Sequence, residues 1–113
     1  MPELDVVQGT LDMFILKAVS FGPSHGYTIM EWLRFTTRGE LRIEDAALYP
    51  ALHRLEARGF IDAEWGVSEN NRRAKFYALT PAGKRRLREY DSNWRKYAAM
   101  AMRILDATAP LPA

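Results

Sequence analysis

Arg72, Arg73 and Lys75 place three cations within four residues. A cluster of this kind displaces the counterions condensed on phosphate, the source of most sequence-independent affinity for nucleic acid, and suits a wing that grips phosphate or enters a minor groove. The stretch Ala47-Leu48-Tyr49-Pro50-Ala51-Leu52-His53-Arg54-Leu55-Glu56 offers a second kind of contact. Turning roughly 100° per residue, it gathers Leu48, Ala51, Leu52 and Leu55 on one arc and leaves Ala46, Pro50, His53 and Ala57 at the centre of the opposite face. Tyr49 and Arg54 flank that outer face. Arg54 and His53 are therefore expected to reach base edges or phosphate, and Tyr49 to bond phosphate, with the helix lying in a DNA groove. Ala46 and Ala47 carry no hydrogen-bonding side chain, so base readout by this helix is expected to be sparse, with methyl contact to thymine or DNA shape contributing instead. The competing reading is plain solvated surface, with the charges keeping a hairpin in water and the Tyr49 ring packed on a neighbouring helix.

Other chemistries fail on inventory. His25 and His53 fall in different elements with no evident carboxylate partner, Ser24 and Ser68 belong to turn or cap positions, and neither a glycine-rich phosphate loop nor a metal-ligand spacing occurs. No catalytic residue, metal site or cofactor is expected. The absence of cysteine excludes disulfides, thiolate metal sites and a cysteine nucleophile, and fits a reducing cytosol. There is no run of about 18 apolar residues, and Met1-Pro2-Glu3-Leu4-Asp5 lacks a basic region followed by an apolar one, so the expectation is a cytoplasmic protein without a membrane partner. The net charge is only +2, so clustering rather than total charge carries the nucleic-acid reading.

These groups need elements to hold them. At 113 residues the chain has room for one domain and one small core, which association with a second copy would reinforce. Hydrophobic residues at 48% and charged residues at 27% place it among folded rather than disordered chains. After an acidic lead, Thr10 is positioned to cap a first helix with Leu11, Phe14, Ile15, Ala18 and Val19 as its buried stripe. Phe21-Gly22-Pro23 ends it, and Ser24 offers a cap for a second helix over 25–36 with Tyr27, Met30 and Leu33 on one side. Leu41-Arg42-Ile43 suits a short strand pairing with a later hairpin. Asp45 can cap a third helix running to Arg58 and stopped by Gly59, with Pro50 tolerated at the end of the first turn. Alternation of Ile61, Ala63 and Trp65 within 60–65, and of Tyr77 and Leu79 within 74–79, predicts two strands. Their tip spans 66–73, where Asn70 and Asn71 suit positive φ. Thr80 caps the last helix, Pro81 takes its first position, and the pattern continues to about Asp106.

That last helix carries Leu87, Tyr90, Trp94, Tyr97, Ala101 and Ile104 at alternating steps of three and four, the seam of a coiled coil. Such a seam predicts a homodimer, which would also supply the twofold axis needed to read two half-sites about 34 Å apart. The competing reading packs the seam on the first helix of the same chain. Aromatic residues at the seam raise a further expectation, a flat hydrophobic effector stacked between two copies of Trp94.

Gln8-Gly9-Thr10-Leu11-Asp12, His25-Gly26-Tyr27, Leu48-Tyr49-Pro50-Ala51-Leu52-His53-Arg54-Leu55-Glu56 and Arg72-Arg73-Ala74-Lys75-Phe76-Tyr77-Ala78-Leu79-Thr80, taken in order, resemble the PadR family of bacterial transcriptional regulators. The likeness covers residues 6 to 90, and the Leu-Tyr-Pro element is its most distinctive part. It implies a mainly α fold with a small β-hairpin (α+β), a winged helix-turn-helix carrying one C-terminal dimerisation helix. Residues 1–80 are then the DNA-binding domain, 81–106 the dimerisation helix and 107–113 a flexible tail. The family's tyrosine maps to Tyr49 and its basic wing to Arg72, Arg73 and Lys75. The implied function is a sequence-specific regulator of double-stranded DNA, acting as a repressor released by a small aromatic effector near Trp94. The chain departs from the commoner pattern by carrying Ala46-Ala47 where Gly or Ser is frequent. A rival of another class is a winged-helix protein-interaction or ligand-binding module without DNA binding.

Overall fold

A computed structural model describes residues 9–112. The acidic lead, Gln8 and Ala113 lie outside the described residues. The elements in chain order are α1 (Thr10–Val19), α2 (Gly26–Thr36), α3 (Asp45–Ala57), β1 (Ile61–Val67), β2 (Arg73–Leu79) and α4 (Pro81–Leu105). This is the expected winged helix-turn-helix with a long last helix.

The core forms where α1, α2 and α3 converge above the hairpin base. Ile15, Leu16, Ile29, Leu48, Ala51, Leu52, Leu55 and Ile61 are fully buried there. All four inward residues expected on α3 are among them, and each buried leucine contributes about 2 kcal/mol of apolar burial. On α2 the buried side is Ile29 and Leu33, whereas Tyr27 points to solvent. Of the expected side, Leu33 is buried and Met30 packs against the core, and only Tyr27, in the first turn, departs from it.

Three expected caps fall elsewhere. Gly9, at φ 90°, precedes α1, so Thr10 is already helical. His25 precedes α2 and Glu44 precedes α3, so neither Ser24 nor Asp45 is the capping residue. Thr80 does cap α4, its hydroxyl accepting from the Gly83 N–H at 3.0 Å and donating to the Gly59 carbonyl at 2.6 Å. Pro50 is the sixth residue of α3 rather than the end of its first turn. It therefore withholds one N–H from the carbonyl of Ala46, a loss that exposure of Ala46 to water makes tolerable.

The hairpin is antiparallel, with Ile61 opposite Leu79, Ala63 opposite Tyr77, Trp65 opposite Lys75 and Val67 opposite Arg73. Both strands run longer than expected, and only Asn71 of the two asparagines takes positive φ. Leu41-Arg42-Ile43 is not a strand. The edge of β2 is taken by Ser24, which exchanges backbone hydrogen bonds with Tyr77 at 3.0 and 2.8 Å. Leu41 instead buries its side chain while its N–H donates to the Thr37 hydroxyl.

α4 crosses the Phe60 backbone at Gly83. An added Cβ there would stand 1.9 Å from the Phe60 carbonyl oxygen, so only glycine permits this crossing. Leu87 and Tyr90 pack against the core, and beyond them the helix projects, giving overall extents of 67 × 33 × 21 Å.

Candidate nucleic-acid interface

Register decides which wing cations act together. Directly paired residues share a face of the ladder, so Arg73 and Lys75 lie on the same side as Trp65 and Val67. The Arg73 guanidinium sits 4.4 Å from the centroid of the Trp65 ring, and the Lys75 ammonium 5.9 Å from it. Trp65 is 59% exposed. It shares its alternation with Ile61 and Ala63, yet it acts as a platform that holds cations in place outside the core. The cross-strand pairing of Trp65 with Lys75 was available from the sequence, but the direction in which the strand leaves the core was not. Lys75 also approaches Glu56 of α3 at 3.8 Å, tying the wing base to the helix. Arg72 precedes β2, at the tip, where its carbonyl accepts from the Ser68 N–H at 2.8 Å.

Between wing and helices lies a groove of about 570 Å³ whose lining includes Tyr27, Tyr49, Arg72, Arg73 and Lys75. Four of the expected contact residues thus share one concavity. His53 and Arg54 do not line it. His53 is exposed farther along α3.

Tyr49 is both packed and presented. An added Cβ on Gly26 would fall 2.8 Å from its hydroxyl, so its phenol lies against the start of α2 while 44% of the residue stays in solvent. His25, which precedes that helix, contacts the Thr28 hydroxyl at 3.1 Å and approaches Glu69 of the wing tip at 3.6 Å. Its ring meets Phe76 edge-on, with centroids 5.3 Å apart. Sequence reasoning treated His25 only as a helix start and missed this link to the wing.

Arg54 points elsewhere. Its guanidinium donates to the Asp12 carboxylate at 2.6 Å, and Asp12 is buried in α1. The hydrogen bond and the charge of Asp12 raise the guanidinium pKa further. Arg54 was expected at the DNA-facing flank of α3. The helical wheel could not reveal a carboxylate waiting 42 residues upstream.

The expected seam of α4 divides in two. Leu87 and Tyr90 are half-buried against their own chain, while Trp94, Tyr97 and Ile104 are exposed and Ala101 is half-buried. Trp94 and Tyr97 stack on each other at 5.8 Å. Two clefts flank Trp94. One, of about 820 Å³, is lined by Met13, Phe14 and Leu87 among others; the second, of about 430 Å³, adjoins Thr10, Tyr90 and Tyr97. No helix among the described residues is long and apolar enough to cross a membrane, and none of their acidic, histidine or cysteine side chains cluster as a metal site.

A family model described as the transcriptional regulator PadR-like family matches residues 15–89. A transcriptional regulator of Mycobacterium tuberculosis is 35% identical over 77 residues, which span 68% of this chain and 68% of that protein. Among solved structures, a transcriptional regulator from Clostridium thermocellum has 30% identity and a TM-score of 0.79, covering 88% of this chain and 97% of the other. A PadR family transcriptional regulator from Eggerthella lenta has 30% identity and a TM-score of 0.77, covering 89% and 86%.

Proposed function

The chain belongs to the PadR-like family of transcriptional regulators, DNA-binding proteins rather than enzymes, and from that premise we propose that it is a cytoplasmic homodimeric repressor. The single observation that carries the DNA reading is the groove in which Tyr49, Arg72, Arg73 and Lys75 converge. In this reading the outer face of α3 enters the major groove, with His53 and Tyr49 toward base edges and phosphate, and the wing cations hold the flanking backbone. Positioning dominates over base readout, because Ala46 and Ala47 have only methyl groups to offer.

Dimerisation through α4 is supported by Trp94, Tyr97, Met100 and Ile104, exposed within one arc of the helix. A contiguous apolar face on a projecting helix is stabilised by a partner. Release from DNA by a flat aromatic effector is supported by the clefts on either side of Trp94, the larger of which combines apolar side chains with Lys17, Arg88 and Asp91.

A gel shift against the region upstream of the protein's own gene tests the DNA reading. Retardation that Arg72→Ala plus Arg73→Ala abolishes supports it; retardation indifferent to both substitutions removes the wing from the site, and no retardation by the wild type favours a module that has lost DNA binding. For the effector, quenching of tryptophan fluorescence by planar aromatic compounds should disappear in Trp94→Phe, since Trp32 and Trp65 lie away from the clefts.

A further inference from the structure

A carboxylate buried in a small core is costly unless something compensates it, and replacing such a pair by apolar residues is often neutral or stabilising. Asp12 nevertheless occupies the first turn of α1, with its side chain only 6% exposed, and Arg54 comes from α3 to meet it. α1 packs on both α3 and α4, and this ion pair is a direct side-chain bond between α1 and α3. The Arg54 side chain is 44% exposed, yet its charged end is turned toward α1 at hydrogen-bond distance. Arg54 follows His53 directly and lies five residues after Tyr49. A bond at this point therefore fixes how far α3 can roll or slide about its axis, and with it where the outer face aims.

We propose that Asp12 and Arg54 form a positioning pair for DNA recognition: Asp12 holds Arg54 inward and so sets the rotation of α3, and Arg54 itself does not touch DNA. This rests on the DNA-binding reading above but assigns Arg54 the opposite task from a groove contact. The two roles separate by electrostatics. A phosphate contact contributes counterion release, so losing it makes the log–log salt dependence shallower by about 0.9 per contact, whereas losing a positioning bond leaves that slope alone and lowers discrimination between sequences.

The test uses a duplex enriched by the wild-type protein from a random-sequence library, beside a scrambled duplex of equal length, in anisotropy titrations across a range of KCl. Asp12→Asn retains every cation; Arg54→Met removes one and keeps the aliphatic packing. Each should weaken binding to the enriched duplex about tenfold or more while leaving the scrambled duplex and the salt slope as in wild type. The double variant should be no worse than the worse single one, because both break the same bond. A shallower slope and equal losses on both duplexes for Arg54→Met, with Asp12→Asn near wild type, would overturn the proposal and make Arg54 a phosphate contact. Should circular dichroism find Asp12→Asn unfolded, Arg54→Lys takes its place, since it keeps the charge without the guanidinium fork. Severalfold lost discrimination at constant slope then supports the pair, and full discrimination overturns it. If the wild type enriches no duplex, the DNA reading falls first and the proposal with it.

Discussion

In the groove beneath the wing, Arg73 lies over the Trp65 ring and Lys75 reaches Glu56, so the exposed cations have both neighbours and water. Along the distal half of α4, Trp94 is 40% and Tyr97 58% exposed, and Met100, Met102 and Ile104 stand in solvent with them. Hydrated charge is a stable resting state for a surface that meets a polyanion. Exposed aromatic and aliphatic area is not, because each square ångström left in water forgoes about 25 cal/mol. The contrast separates the two regions: the groove is complete within its own fold, whereas the helix carries the apolar area that the proposed dimer would cover.

The strongest way to break that contrast is at the junction of the two regions. Gly83→Ala drives a Cβ into the Phe60 carbonyl, a backbone group that cannot swing aside. It should destabilise the fold by about 3 kcal/mol or more, read as a lowered melting temperature, and impair both regions together. Trp94→Ala with Tyr97→Ala should separate them. Each residue occurs twice across a twofold interface, so the dimer dissociation constant should rise on the order of a thousandfold in sedimentation equilibrium, with the far-ultraviolet spectrum retained. Arg72→Ala with Arg73→Ala should do the reverse, weakening duplex binding on the order of a hundredfold at 0.1 M salt without touching the oligomeric state. Gly26→Ala is a finer probe. It displaces the Tyr49 ring, which is free to move into solvent, and should reduce duplex affinity severalfold with little change in melting temperature.

Tyr77 gives the smallest effect, and it sits beneath the groove. Burial, followed by the charge of Glu56 and by Tyr49, raises its pKa above the usual tyrosine value. The folded state then holds its proton more tightly than the unfolded chain. Its contribution is fully present below about pH 10 and is lost as pH rises through the raised pKa. Urea unfolding at alkaline pH should therefore decline less steeply in Tyr77→Phe than in wild type.

Periodicity made α3, the hairpin and α4 legible, since Leu48, Ala51, Leu52 and Leu55 bury as one arc and Thr80-Pro81 starts α4 where expected. Local signals failed where tertiary partners decided. Ser24 was read as a cap because its hydroxyl type fits one, but the open edge of β2 recruits its backbone instead. Leu41 to Ile43 lost the same edge to it. At the site, the spacing of Arg72, Arg73 and Lys75 revealed the cluster, while the Trp65 platform depended on where β1 clears the core. The bond from Arg54 to Asp12 was not legible, because a wheel records direction around one helix and not the partner on another.

The salt dependence of duplex binding by the intact protein tests the central claim most directly. Two subunits that each engage phosphate through Arg72, Arg73 and Lys75 predict a log–log slope of roughly −5, with two chains bound per duplex. A slope near zero, or one chain per duplex at saturation, would contradict it.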